Sequence, residues 1–133
     1  MEHSLTKNQS LPALLCAFAA CYGIGFGTMM IPAGLFVGWQ ILLGAAIHMI
    51  FGSAFLGAAV GIRSDSTWAA WLATTLSAVI VGLSIVGILQ SAAHQDAGGV
   101  IVWTFISIYF ACLALLACRA GLSLSKSRTR RST

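Results

Sequence analysis

Apolar residues run along this chain in long blocks separated by short polar interruptions. After Lys7 no Asp, Glu, Lys or Arg appears until Arg63, none between Asp65 and Asp96, and none between Asp96 and Arg119. A bilayer core about 30 Å thick needs roughly 20 apolar residues in a helix. The first block, 11–62, is too long for one span and right for two with a turn. Pro32 and Gly34 mark that turn, because proline cannot continue the helical hydrogen-bond ladder and glycine loosens it. The pattern therefore predicts helices over about 11–31, 40–62, 67–90 and 100–121. Between them lie a polar loop, Arg63–Ser66, whose Asp65 or Ser66 can cap the third helix, and a second loop, Ser91–Gly99, holding His94 and Asp96. A basic tail, 122–133, follows. The expected fold is all-α, a single integral membrane domain forming a four-helix bundle of two transmembrane hairpins.

Composition removes most other classes. Only 8% of the 133 residues are charged and 59% are hydrophobic, against about 25% charged in a soluble domain. Mean hydropathy is +0.93. Such a chain cannot cover itself in water, so a soluble enzyme, a disordered segment and a nucleic-acid-binding domain are all excluded as expectations. A leader peptide is suggested by Lys7, the apolar run after it and Ala17-Phe18-Ala19, but the apolar run continues well past that site.

Charge then predicts orientation. In a four-span arrangement all seven Lys and Arg (Lys7, Arg63, Arg119, Lys126, Arg128, Arg130 and Arg131) fall on one side. The positive-inside rule places that side, with both termini, in the cytoplasm. Trp39 and Trp103 near the outer ends, and Trp68 and Trp71 near the inner end of helix 3, fit interfacial belts. Arg63, Lys126, Arg128, Arg130 and Arg131 are the expected topology and lipid-headgroup residues, at about 1 kcal/mol per basic residue near an anionic surface. The tail is short and carries no aromatic residue, which argues against nucleic acid as its partner.

Glycine, with 14 residues, is spaced for packing. Gly23 and Gly27, Gly34 and Gly38, and Gly57 and Gly61 are small-x-x-x-small pairs, and Ser53 extends the last. Helices in lipid lack a hydrophobic drive to associate, so close backbone approach at small residues matters more. Helix 2 is thus expected to sit centrally or at a subunit contact. Helix 3 carries a weak polar stripe, Thr67, Trp71, Thr74, Ser77 and Ser84, suited to packing or to a hydrated path.

Chemistry is sparse. Glu2, Asp65 and Asp96 lie in three separate segments, so paired carboxylates for acid–base catalysis are missing and no enzymatic activity is expected. Proton-coupled exporters use an intramembrane carboxylate, and these spans hold none. The four cysteines, Cys16, Cys21, Cys112 and Cys118, read as small apolar residues facing a reducing compartment. His48 is the one ionisable group deep in the apolar region. Gly44 and Gly52 flank it at four-residue spacing on one helix face, leaving room for a flat macrocycle whose metal the imidazole could bind. Gly44-x-x-x-His48 resembles the small-x-x-x-His pattern of bacterial light-harvesting helices, which implies a tetrapyrrole (chlorophyll or haem) as a candidate cofactor. The single span and short flanks of those polypeptides are not matched. Gly25-Phe26-Gly27 resembles the core of potassium selectivity filters, but the threonine two residues before that core is Gly23 here, and no acidic residue follows.

Three functions follow as expectations. The leading one is a small non-enzymatic accessory or scaffolding subunit of a larger membrane complex. The others are a tetrapyrrole-binding subunit through His48, and a small homo-oligomeric pore or permease of holin-like character. Partners are the lipid bilayer and other membrane subunits or a second copy. The pattern is similar to that of many small proteins of the bacterial cytoplasmic (inner) membrane. Orientation is testable directly: green fluorescent protein fused after Thr133 is expected to fluoresce, and alkaline phosphatase inserted in 91–99 to be active. The reverse pattern would invert the topology.

Overall fold

The computed structural model describes the backbone of residues 7–131 and the side chains of 10–127. Among the described residues the chain is all-α: α1 (Lys7–Val37), α2 (Trp39–Arg63), α3 (Thr67–Ala93) and α4 (Ala97–Arg131). All four are long and apolar enough to cross a membrane, and no strand is present among the described residues.

The helices run further than the hydrophobic pattern alone suggests. Pro32 lies inside α1 and does not end it. In an apolar medium, ending a helix strands several backbone groups, whereas a proline removes one donor, so continuation costs less. The turn is instead one residue, Gly38, at φ 140°. That conformation is closed to side-chain-bearing residues but open to glycine. The Gly38 N–H donates to Gly34 O at 3.0 Å, and Ile41 N–H donates back to Gly38 O at 3.2 Å. Likewise α4 continues through 122–131, so the backbone of the expected tail is helical as far as Arg131.

The other two connections share one conformation. In 64–66, Ser66 N–H donates to Gly61 O at 2.9 Å and Asp65 N–H to Ile62 O at 3.3 Å. In 94–96, Asp96 N–H donates to Ser91 O at 2.9 Å and Gln95 N–H to Ala92 O at 3.1 Å. Both are Schellman closures, with Asp65 (φ 58°) and Gln95 (φ 56°) in the left-handed position usually held by glycine. Asp96 then caps α4: its carbonyl accepts from Val100 N–H at 3.1 Å, and its carboxylate lies against Gly98 and Gly99 at the start of the helix.

Packing is dense within each hairpin and sparser between them. The shared core contains Cys16, Ala19 and Ala20 of α1, Phe55, Ala58 and Ile62 of α2, Ala69, Ala70 and Ala73 of α3, and Leu113 and Ala117 of α4. Most of it is alanine, which lets helices come close at the cost of little filled volume. Phe55 and Phe110 cross the hairpin boundary with ring centroids 5.6 Å apart. Toward the start of α4 the two hairpins diverge: Ile101, Val102, Trp103, Thr104 and Phe105, more than a full turn, are all exposed.

A side-chain hydrogen bond ties the hairpins together. Tyr109 O–H on α4 donates to Leu15 O on α1 at 2.7 Å. Interhelical bonds in lipid are worth about 0.6–2 kcal/mol. Tyr109→Phe keeps the ring contacts to Phe18 and Phe110 and removes only the hydroxyl. It is expected to lower unfolding free energy by about 1 kcal/mol in a mixed-micelle denaturation, without changing helix content. No loss of stability would show that the bond contributes nothing.

Candidate functional site

His48 is the tenth residue of α2, about 15 Å from the Gly38 turn at helical rise. It is half-buried, and its Nδ1–H donates to Gly44 O at 2.8 Å. A carbonyl can only accept, so Nδ1 carries a proton, and in the tautomer this selects the lone pair is on Nε2. The imidazole lies 5.1 Å from the Phe26 ring, and Phe26 in turn stacks on Tyr22 at 5.7 Å with planes 9° apart.

The flanking glycines do not leave an open slot beside it. A Cβ built on Gly52 would stand 2.7 Å from Ile24 N and 3.0 Å from Ala20 O, so α1 occupies that space. At Gly44 a Cβ would meet Met30 Cε at 3.3 Å. The room expected for a macrocycle is filled by the α1 backbone at Gly52, whereas at half-exposed Gly44 only the end of the Met30 side chain stands near. Among the described residues no group of three or more His, Cys, Asp or Glu could hold a metal ion.

The remaining glycines divide by what they face. Gly23 would place a Cβ 2.9 Å from Gly52 Cα and His48 O, and Gly27 one 2.9 Å from Ala45 O. Gly34 packs on Leu42, and Gly61 on the Ala69 methyl across the 64–66 turn. Gly38, paired with Gly34 by spacing, is the turn itself and packs on nothing within 4 Å. Gly57 also has nothing within 4 Å, and Ser53 one turn before it is exposed.

Direction can be assigned from contacts. On α1, Leu15, Phe18, Tyr22 and Phe26 recur at three- and four-residue steps, and Leu15 and Phe18 touch Tyr109, so this flank faces α4. On α2, His48 and Phe55 fall on the same side, since Phe55 meets Phe110. The opposite flank of the hairpin carries Cys21 and Thr28 from α1 and Ala46, Ser53 and Gly57 from α2, all exposed. These five small residues share one flank of the hairpin, interrupted on α2 by the exposed Ile50, which falls on the same stripe between Ala46 and Ser53.

Elsewhere the polar groups are satisfied locally. Thr74 and Ser84 of the α3 stripe donate to Ala70 O and Ile80 O at 2.9 and 2.7 Å, whereas buried Ser77 Oγ has no partner. Trp39, Trp68 and Trp71 are exposed, while the Trp103 ring lies over Gly87, filling the space a Cβ would take. Cys16 is buried, Cys118 half-buried, Cys21 and Cys112 exposed, and all four are free. Arg63 and Lys126 are exposed. The side chains of Lys7, Arg128, Arg130 and Arg131 lie outside the described residues, as do Glu2 and His3.

Sequence reasoning did not single out Tyr109, Tyr22 or the role of Phe26. For Tyr109 a signal existed, because a phenol inside an apolar span needs a hydrogen-bond partner. No protein-family model, curated protein or solved structure matches the chain.

The glycine geometry gives a paired test. Gly23→Ala forces a methyl onto the α2 backbone and is expected to cost about 1–3 kcal/mol. Gly25→Ala, where nothing stands within 4 Å, is expected to be neutral or to gain up to about 1 kcal/mol from helix propensity. Equal effects of the two in thermal unfolding would refute the close contact.

Proposed function

We propose that this chain is a non-enzymatic accessory subunit of a membrane assembly, docking on neighbouring transmembrane helices through the outer flank of the α1–α2 hairpin. The observation that supports this is the exposed small-residue face of Cys21, Thr28, Ala46, Ser53 and Gly57. Most of the chain's other glycines at membrane depth are consumed by internal contacts, at Gly23, Gly27, Gly34, Gly52, Gly61 and Gly87. Backbones can approach closely at such a face, which is how helices associate in lipid. The docked assembly belongs to the bacterial cytoplasmic membrane, with the 64–66 turn and both termini inside, because Arg63, Arg119 and Lys126 gather at that end.

Gly57 and Gly61 separate docking from folding. Gly61 is filled by Ala69, so Gly61→Leu damages the chain's own packing. Gly57 is open, so Gly57→Leu is expected to leave the melting temperature of the isolated chain unchanged while removing stoichiometric partners from a gentle-detergent purification read by mass spectrometry. Retention of the same partners by Gly57→Leu would overturn the docking face. A partner-free homo-oligomer that permeabilises liposomes would replace the accessory reading with a pore.

A further inference from the structure

The flank that faces α4 carries a different feature, and it stands or falls independently of the docking face. His48 Nδ1–H is committed to Gly44 O, which leaves Nε2 as a pure acceptor. Among the described residues Nε2 has no hydrogen-bond partner. His48 is half-buried, and its Nε2 is not sealed from contact as Ser77 Oγ is. A reachable, unpartnered acceptor thus stands at membrane depth, where lipid tails offer no donor. An ionisable side chain in that position is costly and points to function.

The surroundings specify what could satisfy it. Phe26, 41% exposed, and Tyr22, 58% exposed, present a continuous aromatic surface beside the imidazole. This flank is the one turned toward α4, whose Ile101–Phe105 are uncovered. The Gly52 face that a macrocycle would use is filled by the α1 backbone, and the Met30 side chain stands at Gly44. What fits is a smaller ring that dissolves in the bilayer and brings its own hydroxyl.

We propose that His48, Phe26 and Tyr22 form a binding site for a membrane-soluble ring alcohol of the quinol type, whose O–H donates to His48 Nε2 while its ring lies along Phe26 and Tyr22. The ligand enters laterally from the bilayer and no bond is made or broken. Stacking on the two aromatic rings supplies orientation, and the single hydrogen bond supplies discrimination.

The test uses the full chain in phosphatidylcholine nanodiscs, with empty nanodiscs as the partition control. Decylbenzoquinol, kept reduced, is compared with its dimethyl ether, which has the same ring and tail but no donor. The quinol is expected to bind saturably and about tenfold more tightly than the ether, the scale of one intramembrane hydrogen bond. His48→Phe is expected to bring the quinol down to the affinity of the ether and leave the ether unchanged. Equal affinities of the two probes for the unmodified chain would overturn the site, as would quinol binding that His48→Phe leaves intact. Should His48→Phe fail to fold, the two-probe comparison on the unmodified chain still decides. The ¹⁵N shift of His48 Nε2 provides a second reading: movement with quinol but not ether supports the site. An Nε2 signal unmoved by saturating quinol means that water alone serves this acceptor, and rejects it.

Discussion

The contact between the backbones of α1 and α2 at Gly23 and Gly52 is the constraint on which the rest of the structure depends. Lipid tails are as apolar as leucine, so helices in a bilayer gain little by hiding hydrophobic side chains from them. What remains is dispersion, which falls off within a fraction of an ångström of contact distance. Removing side chains at Gly23, Gly27, Gly34 and Gly52 lets two backbones meet along most of their length. Gly38 can then close the hairpin in one residue because the helices are already adjacent. The alanines of the shared core extend the same strategy to the hairpin boundary, with Phe55, Phe110 and Tyr109 filling the wider gaps there.

Polar groups obey the complementary constraint. Every donor left over in an apolar medium must find an acceptor nearby. Thr28, Thr75 and Thr104 solve this by donating to the carbonyl one turn back, at 2.7, 3.0 and 2.7 Å. Tyr109 cannot reach its own helix in this way and bonds Leu15 instead, converting a local requirement into a link between hairpins. His48 satisfies only half of its ring, and Ser77 satisfies none of its hydroxyl.

These two constraints also explain what could be read from sequence. Four apolar helices are legible because bilayer thickness fixes their length and charges interrupt the pattern only at the connections and toward the two ends of the chain. The α1–α2 turn was misplaced because proline is a weaker helix breaker in lipid than in water, and a single glycine turn at Gly38 leaves no polar signature. The end of α4 was set too early because polar residues such as Ser123 and Lys126 end a hydrophobic run without ending a helix. Spacing flagged the glycines, but not their partners: Gly57 and Gly61 belong to one pair by sequence, yet one faces outward and the other lies against Ala69. For His48, sequence showed an isolated imidazole between two glycines. It could not show that α1 occupies the glycines and leaves Phe26 at the ring, because that depends on the register of the hairpin.

The unequal packing within and between hairpins has a consequence for biosynthesis. The α1–α2 contact joins segments separated by one residue of connection, and the α3–α4 contact joins neighbours just as local. The first pair can zip as soon as both its helices are in the bilayer, before the second pair is made. The seam between pairs, sealed by Tyr109 and the Phe55–Phe110 contact, must wait for α4. The first hairpin is therefore complete while the second is still being made, and through that interval its Tyr22–Phe26 flank, later turned toward α4, stays bare.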